Sequence, residues 1–349
     1  MVNRQTEGEQ LFYIGSYTEA DAPGIHLASV KIDSGEMTIL HSLSGLDNPS
    51  FLTVHPALPV LYAVTETDEG EAVSFRIELD GTLKESSREQ TGGAHPCHAA
   101  LAGEKLLVTV NYSGGQINSF QLEQDGAIAR TASRVQHLGK GLREDRQEQA
   151  HPHSAIPDQA GNFVYVSDLG LDRIVVYRLQ EGRLVTHQEV ELPPGAGPRH
   201  FVIHPSKPWA YGVNELNNTV TAYAYHEREG NLSILQHIST LPENWMAENT
   251  AGDIHISSCG RFLYASNRGA DTIVRYLIDP ERGQLSEPQW TDTGGKIPRN
   301  FMILEGQLLV ASQNSDEIAA FLIDQTGGTL RDTGHRLKVS KPVCLVPYK

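Results

Sequence analysis

The sequence is poor in cysteine, in basic residues and in long apolar runs. Its 349 residues include three cysteines, Cys97, Cys259 and Cys344, which are far apart. An odd number of widely spaced thiols favours reduced cysteines in a cytoplasm over a disulfide framework. No apolar stretch approaches the roughly 18 residues that a membrane-spanning helix needs, and residues 1–10 contain no apolar signal core. These absences predict a cytoplasmic protein without a membrane partner.

Basic side chains are outnumbered by acidic ones. The 28 Lys and Arg residues against 43 Asp and Glu residues give a formal net charge of -15. Nucleic acid is therefore disfavoured as a partner, because binding phosphates requires a basic face. The overall field does not attract a negatively charged substrate either, so an anion site has to be built locally from a few arginines and histidines.

The chain does contain a strand pattern that recurs along its whole length. A short apolar stretch carries Tyr or Val at its third position and ends in small and polar residues. The third residues of the copies are Tyr13, Tyr62, Val108, Tyr165, Tyr211, Tyr264 and Val310. They are separated by 46 to 57 residues, about one propeller blade. Gly-x-Leu turns at matching places, such as Gly81–Leu83, indicate four strands per blade. The predicted fold is an all-β, seven-bladed β-propeller with few helices.

The two ends of the sequence complete the repeat. Residues Lys341–Pro347 resemble the leading strand that the first copy lacks. We expect this C-terminal strand to complete the N-terminal blade and so remove the open edges of the array. The expected organisation is a polar tail over residues 1–9 and a single propeller domain over residues 10–349.

The topology predicts that polar residues from all blades meet on one face. In an up-and-down blade, the start of the innermost strand lies beside the end of the second strand. Residues at these two places differ in charge and type from blade to blade. Such variation is expected of an asymmetric site on a pseudo-symmetric scaffold. The alternative is that these side chains only solvate the mouth of a water-filled channel.

Among these residues, five suggest chemistry. His153 can take up a proton near neutral pH and so serve as a general base, and Glu215 can orient it or act as acid or base. Arg199, Arg268 and Arg299 can hold an anionic substrate or an oxyanion. The structural alternatives are a histidine hydrogen-bonded in a tight loop and ion pairs between blades.

Metal and nucleophile chemistry receive little support. His95–His98 and His151–His153 are rich in imidazoles, but they lack clear zinc-ligand spacing and nearby carboxylates. No Gly-x-Ser-x-Gly motif occurs, and Cys97 beside His98 is more often a coincidence than a catalytic dyad. The sequence therefore predicts a site without a metal ion or other cofactor.

Motifs along the whole chain are similar to those of one family. They are Tyr13–Thr18, Asn48–Leu52, His95–His98, Pro152–Ser154, Gly195–Phe201, Asn214–Leu216, Ser266–Gly269, Pro298–Phe301 and Gln313–Ser315. In these motifs the chain resembles the seven-bladed propeller lactonases, which include bacterial propeller-type 6-phosphogluconolactonases and fungal carboxymuconate cyclases. The motifs are specific to the family together, and none is specific alone.

The resemblance implies metal-free hydrolysis of a small anionic sugar-acid lactone, above all 6-phosphogluconolactone to 6-phosphogluconate. It implies a catalytic set of His153, Glu215 and Arg268, in which His153 and Glu215 activate water. The expected substrate-binding residues are Arg199, His98, Asn111, Asp168, His200, Arg299, Asn300 and Asn314. A carboxymuconate-type cycloisomerase and a non-catalytic propeller that binds a ligand or protein remain alternatives, and the oligomeric state stays open.

Overall fold

The strands of this protein form a closed ring of blades. The structure, a computed structural model, describes residues 8–348. Within this range 28 strands form seven antiparallel sheets of four strands each. The helical structure in the same range is one 3-10 turn, Gln313–Ser315. The prediction of a seven-bladed propeller with few helices is confirmed.

Each blade runs from an innermost to an outermost strand. Blade 1 consists of β28 (Pro342–Tyr348), β1 (Glu9–Ser16), β2 (Ile25–Lys31) and β3 (Met37–Leu43). Blades 2 and 3 consist of β4 (Phe51–Val54), β5 (Val60–Thr65), β6 (Glu71–Ile77), β7 (Leu83–Gln90), β8 (Pro96–Leu101), β9 (Leu106–Asn111), β10 (Gln116–Leu122) and β11 (Ile128–Gln136). Blades 4 and 5 consist of β12 (Pro152–Pro157), β13 (Phe163–Asp168), β14 (Arg173–Gln180), β15 (Arg183–Glu191), β16 (Pro198–Ile203), β17 (Trp209–Asn214), β18 (Thr219–His226) and β19 (Asn231–Ser239). Blades 6 and 7 consist of β20 (Thr250–Ile256), β21 (Phe262–Arg268), β22 (Thr272–Ile278), β23 (Leu285–Asp292), β24 (Pro298–Leu304), β25 (Gln307–Ser312), β26 (Glu317–Ile323) and β27 (Leu330–Lys338).

The C-terminal strand closes the ring as predicted. Strand β28 pairs antiparallel with β1, so that Tyr13 lies opposite Val346 and Gly15 lies opposite Cys344. On its other side β1 pairs with β2. Blade 1 is therefore assembled from both ends of the described chain, and the inner edge of β1 is covered.

Burial along a strand depends on its place in the blade. Every residue of β13 is buried, because second strands lie between the faces of neighbouring blades. The outermost strand β15 instead contains exposed and buried residues in partial alternation. The short apolar runs of the sequence therefore belong to the inner strands, which are covered on both faces.

The recurring tyrosine of the repeat joins neighbouring blades. The Tyr13 hydroxyl of blade 1 donates a hydrogen bond to the carbonyl of Gly81, in the turn between β6 and β7, at 2.9 Å. The equivalent pairs are Tyr62–Gly126, Tyr165–Gly230, Tyr211–Gly283 and Tyr264–Gly328. Blade 3 has Val108 instead, and there Ser119 donates to the Gly182 carbonyl at 2.6 Å. The repeat motif is thus explained by a hydrogen bond to the turn of the next blade.

Two sequence expectations concern regions that the fold only partly covers. Of the predicted polar tail over residues 1–9, the structure describes Gly8 and Glu9, and Glu9 begins β1. Residues 1–7 lie outside the described residues. Within residues 8–348, no helix has the length and apolar character needed to cross a membrane.

Candidate active site

Side-chain alternation decides which residues reach the mouth of the central channel. A pair of residues closes the second strand of each blade, and successive side chains of a strand point to opposite sides. The first members of these pairs include Asn111, Asp168, Asn214 and Asn267, which are completely buried. The second members include Tyr17, Glu66, Tyr112, Glu215 and Arg268, which contact one another or residues of the innermost strands. The mouth is therefore built mainly from the second members.

Glu215 lies at the centre of this mouth, between three guanidinium groups. Its Oε1 atom accepts a hydrogen bond from Arg146 Nη2 at 2.5 Å. Its Oε2 atom lies 2.7 Å from Arg268 Nη2 and 3.1 Å from Arg199 Nε. The four residues come from two blades and one connecting loop. We call Arg146, Arg199, Arg268 and Arg299 the arginine cluster.

The electrostatics of the cluster keep Glu215 ionised. Burial alone raises the pKa of this carboxyl, but the charges of Arg268, Arg199 and Arg146 outweigh burial and lower its pKa far below the usual range. Burial and the charges of Arg268 and Arg299 lower the pKa of Arg199. The cluster therefore crowds like charges that one carboxylate only partly compensates, which suits it to bind a further anion.

Arg299 enters the mouth from β24 and is held by an aromatic side chain. Its Nη2 atom donates to the Tyr17 hydroxyl at 2.8 Å, and its guanidinium carbon lies 5.3 Å from the centre of the Tyr17 ring. The Tyr17 hydroxyl in turn donates to Glu66, whose Oε2 atom is 2.9 Å away. Arg299 is thus oriented by Tyr17, with Glu66 as the second carboxylate of the mouth.

Three histidine rings lie next to the arginine cluster, inside the channel. The ring centres of His153 and His200 are 5.5 Å apart, and those of His98 and His200 are 5.7 Å apart. The Nδ1 atom of His153 faces the Cys97 thiol at 3.7 Å. The remaining ring nitrogen of His153, Nε2, is therefore the one available to a bound molecule. We call His98, His153 and His200 the histidine group.

His153 and His200 are both neutral at pH 7. Burial, together with the charges of Arg199, His200 and Arg299, lowers the pKa of His153 well below its ordinary value. Burial and Arg199 lower the pKa of His200 to about 4. A neutral imidazole is the form that accepts a proton, but a low pKa weakens it as a base. A bound anion counteracts the arginine charges and strengthens His153 in this role.

Asp253 fixes the orientation of His200. Its Oδ1 atom lies 2.6 Å from His200 Nδ1, and Arg199 Nη1 lies 3.2 Å from His200 Nε2. Arginine only donates, so Nε2 is the acceptor and the proton of the neutral ring is on Nδ1. Arg199 also donates to the Gly252 carbonyl at 2.9 Å. An ion pair from Glu215 to Arg199, followed by hydrogen bonds from Arg199 to His200 and from His200 to Asp253, thus connects the two carboxylates.

The second oxygen of Asp253 accepts hydrogen bonds from two further side chains. His255 Nε2 lies 2.9 Å away and Asn300 Nδ2 lies 2.6 Å away. Burial disfavours the carboxylate, but His255 and His200 outweigh it and hold the pKa of Asp253 well below its usual range. Burial likewise opposes the charged form of His255, whose pKa Asp253 nevertheless raises. In this part of the channel, the carboxylate of Asp253 is therefore paired with two side chains that can titrate, His200 and His255.

Apart from Asn111 and Asp168, the predicted site residues divide into three groups. Glu215, Arg199, Arg268 and Arg299 meet at the mouth, and His153 lies directly beside them. The predicted ligands His98, His200 and Asn300 line a channel cavity of about 560 Å³, which extends towards the opposite face. Asn314 is exposed, in the middle of the 3-10 turn.

Asn111 and Asp168 are placed differently from the expectation that they bind substrate. Asn111 Nδ2 donates to Thr91 Oγ1 at 3.0 Å. Asp168 lies 2.6 Å from His137 Nδ1 and accepts a hydrogen bond from the backbone N–H of His151. Both are first members of their pairs, so they point into their own blades and hold the loops there. The structure does not bring them to the mouth.

Glu215 also differs from its expected role in water activation. The side-chain contacts described for it are with Arg146, Arg199 and Arg268, and no hydrogen bond to His153 is found within residues 8–348. Both carboxylate oxygens are occupied by arginines. Its geometry therefore favours holding the arginine cluster in place over accepting a proton.

Sequence reasoning missed Arg146, Asp253 and His255, although it selected the other side-chain partners of Asp253. Arg146 lies between β11 and β12, in the longest step of the repeat, which is 57 residues where most others are 46 to 49. That insertion was the available signal, because extra residues at this edge of a blade lie over the mouth. Within residues 8–348, no group of three or more His, Cys, Asp or Glu side chains is arranged to hold a metal ion.

Comparisons with known proteins decide the family. The family model described as "Lactonase, 7-bladed beta-propeller" matches residues 11–347. The chain belongs to the seven-bladed propeller lactonases. This lactonase is therefore a hydrolase of cyclic esters, and the resemblance inferred from its motifs is confirmed.

Individual relatives of the lactonase cover nearly its whole length. A Formosa agariphila protein named 6-phosphogluconolactonase is 34% identical over 343 residues, covering 94% of this chain and 96% of that protein. A Bacillus subtilis protein of the same name is 29% identical over 338 residues, covering 95% and 97%. The solved structure of the periplasmic gluconolactonase of Pseudomonas aeruginosa is 30% identical, with a TM-score of 0.90 and coverage of 98% and 99%.

Proposed function

We propose that the lactonase hydrolyses 6-phosphogluconolactone to 6-phosphogluconate. The observation that carries this proposal is the charge at the mouth. Four arginines face two carboxylates, Glu215 and Glu66, on a chain whose formal net charge is -15. A locally positive site on an acidic protein selects an anionic substrate. The printed names of the Formosa and Bacillus relatives support the same lactone.

The proposed reaction starts with water at His153. Nε2 of His153 accepts a proton while the water oxygen forms a bond to the lactone carbonyl carbon. The electron pair of the carbonyl moves to its oxygen, giving a tetrahedral oxyanion. Collapse of this intermediate breaks the bond from the carbonyl carbon to the ring oxygen, which takes up the proton held on His153 Nε2 and so regenerates the neutral imidazole. The carboxylic acid formed then ionises at pH 7.

Arginine charges stabilise the oxyanion in this mechanism. Arg268 and Arg199 are buried and each is fixed by a second hydrogen bond, to the carbonyls of Ala251 and Gly252 respectively. Donors that are oriented before the reaction contribute roughly 10²–10³-fold each to turnover, and a general base contributes roughly 10²–10⁴-fold. Glu215 is a positioning residue in this scheme, because it holds the guanidinium groups and compensates part of their charge.

A lactone panel tests the proposal. We expect 6-phosphogluconolactone to be hydrolysed with a higher kcat/KM than glucono-δ-lactone, measured as proton release in a pH-stat after subtraction of the spontaneous rate. The same rates are expected with and without EDTA, since no metal-binding group is found among residues 8–348. Faster hydrolysis of glucono-δ-lactone, the substrate suggested by the name of the Pseudomonas relative, would contradict the assignment.

Replacement of His153 tests the mechanism. His153→Gln is expected to lower kcat by about 10²–10⁴-fold, because the water loses its proton acceptor. His55→Gln is the control: His55 is equally buried but lies at the opposite face, where it bonds the Glu104 carbonyl at 3.1 Å. Both variants are compared per folded molecule after thermal melting. Equal activity losses would assign His153 a structural role.

The cytoplasmic location and the absence of nucleic-acid and membrane partners stay predictions from the sequence. The Pseudomonas relative is described as periplasmic, so fold and family do not decide the location.

A further inference from the structure

Arg146 differs from the other arginines of the cluster in its origin. Arg199, Arg268 and Arg299 belong to strands β16, β21 and β24. Arg146 belongs to the connection between β11, which ends at Gln136, and β12, which begins at Pro152. The cluster therefore combines three arginines of the rigid ring with one arginine of a loop above it.

The loop itself is firmly attached to the ring. Gln147, the residue after Arg146, is completely buried. Its Nε2 atom donates to the Leu169 carbonyl and to Asp172 Oδ1, both at 2.8 Å, and its Oε1 atom accepts from the Arg143 backbone N–H at 3.0 Å. These hydrogen bonds fix the backbone next to Arg146. Any movement of Arg146 is therefore a rotation of its side chain and not a movement of the loop.

The side chain of Arg146 is also the most accessible of the three around Glu215. It is 33% exposed, against 3% for Arg199 and 8% for Arg268. Arg199 and Arg268 are each held by a backbone carbonyl in addition to Glu215. The second contact of Arg146 is the Tyr112 hydroxyl at 3.5 Å, which is a long hydrogen bond. Arg146 is therefore the guanidinium that can leave Glu215 at least cost.

Glu215 remains compensated when Arg146 leaves it. Arg268 Nη2, at 2.7 Å, and Arg199 Nε, at 3.1 Å, stay beside Oε2. A guanidinium released in this way presents several donors in a planar fork, which matches the oxygens of a phosphate group. Its position at the solvent side of the cluster suits the end of a substrate that is remote from the reacting carbonyl.

We propose that Arg146 forms the subsite for the phosphoryl group of the substrate, exchanging Glu215 for phosphate oxygens when the lactone binds. This inference rests on the proposed function, and it adds a residue that decides between phosphorylated and unphosphorylated sugar lactones. The buried arginines serve the carbonyl end of the substrate, and Arg146 serves the anionic end.

Kinetic comparison of two lactones tests the subsite. Arg146→Gln is expected to raise KM for 6-phosphogluconolactone about 10- to 100-fold, the size of a charge-assisted bidentate contact, with kcat within about threefold of the parent. Its kcat/KM for glucono-δ-lactone is expected to fall much less than its kcat/KM for 6-phosphogluconolactone, because glucono-δ-lactone has no phosphoryl group for Arg146 to bind. The KM of Arg146→Lys for 6-phosphogluconolactone should fall between those of the parent and Arg146→Gln, because lysine retains the charge but not the planar guanidinium fork. A similar loss on both lactones, or no loss on either, would overturn the assignment.

Arg143→Gln is the matched control. Arg143 lies in the same loop and is exposed, and its guanidinium pairs with Asp145 at 3.0 Å. Removing it takes the same charge from the protein without touching Glu215. Its KM for the phosphorylated lactone is therefore expected to equal that of the parent, and an equal rise in both variants would indicate a general charge effect.

Equilibrium binding separates this inference from the proposed function. Calorimetry with 6-phosphogluconate and gluconate measures the subsite without turnover. We expect the parent protein to prefer the phosphorylated acid and Arg146→Gln to lose that preference. If the parent hydrolyses neither lactone yet shows this pattern of binding, the proposed function fails and the subsite stands. If the parent favours the phosphorylated lactone and Arg146→Gln retains the binding preference, only the subsite fails.

Discussion

Glu215 and Asp253 are both buried carboxylates beside the central channel, yet their partners differ in kind. Glu215 is 3% exposed and pairs with three arginines. Asp253 is 2% exposed and accepts hydrogen bonds from two histidines and Asn300. Arginine does not lose its proton in the physiological range, whereas histidine does. The partners of Glu215 therefore keep their charge throughout this range, whereas the charge of the partners of Asp253 depends on pH.

Glu215→Gln is expected to have the largest effect. Removing one partner of a buried ion pair costs about 3–5 kcal/mol of folding free energy, because the arginines are left uncompensated. We expect a lower melting temperature and a loss of kcat/KM of at least about 10²-fold in the folded fraction.

Glu66→Gln is the control for this variant, since Glu66 lies at the same mouth but bonds the neutral Tyr17. The double variant Glu215→Gln with Arg268→Gln removes one charge of each sign and should regain part of the stability. If Glu215→Gln and Glu66→Gln lose activity and stability to the same extent, the special role given to Glu215 is wrong.

Asp253→Asn is expected to lower activity less than Glu215→Gln does, because Asp253 acts on Arg199 only through His200. Asparagine offers one acceptor oxygen where Asp253 receives three side-chain donors. His200 then loses its defined proton position and Arg199 loses one of its acceptors, which should lower kcat/KM about 10- to 100-fold. Nitrogen NMR of His200 should show the proton leaving Nδ1.

The matched control is Asp158→Asn. Asp158 is equally buried, but it accepts hydrogen bonds from backbone N–H groups of Asn162 and Phe163, outside the channel. Its replacement should lower stability and leave the activity of the folded protein unchanged. An unaltered pattern of His200 nitrogen shifts in Asp253→Asn would contradict the role given to Asp253.

The pH dependence of stability distinguishes the two carboxylates further. Asp253 raises the pKa of His255 against the effect of burial, so the charged His255 stabilises the fold. This contribution is complete below the unfolded pKa of about 6.5 and is lost as pH rises through the higher folded pKa. Glu215, whose pKa is lowered, contributes fully above its unfolded pKa of about 4.3 and loses this contribution as pH falls towards its folded pKa.

Melting temperatures at pH 6 and pH 9 check this sign. The parent protein should lose more stability over this interval than His255→Gln, because only the parent has the charged histidine to lose. An equal or larger loss in the variant would show that Asp253 does not hold His255 in the charged form.

Cys97→Ser is expected to change least. Burial raises the pKa of the Cys97 thiol strongly, so the thiolate nucleophile is absent at pH 7. The thiol faces His153 at 3.7 Å, and serine preserves a small polar contact there. We expect kcat within about threefold of the parent and no inactivation by thiol-alkylating reagents. Loss of activity on alkylation of Cys97 would contradict this expectation.

The fold was predictable because the repeat records it directly. The third residue of the pattern recurs since Tyr13 and its equivalents each reach the turn of the next blade. The C-terminal strand was predictable because the first copy lacked a leading strand. Both features depend on strand spacing, and strand spacing is visible in a single sequence.

The site was predictable only to the level of position in the blade. Asn111 is the last residue of its second strand, whereas Glu215 follows the last residue of its own. This difference of one position directs the Asn111 side chain into its blade and the Glu215 side chain to the mouth. Arg146 has no equivalent in the repeat, since it lies in an inserted loop. Side-chain direction at a strand end and the path of an insertion depend on packing, which spacing does not describe.

The pairing of β28 with β1 has a consequence for how the lactonase is made. Ribosomes add roughly 5–20 residues per second, so the first strand waits tens of seconds for its inner partner. Throughout synthesis its N–H and C=O groups are an open template for another chain. A chain stopped after Lys341 retains that template permanently and is expected to elute from size-exclusion columns as aggregates. Each molecule therefore becomes a ring only after β28 has been translated, and we expect chaperone capture during that interval to affect its yield.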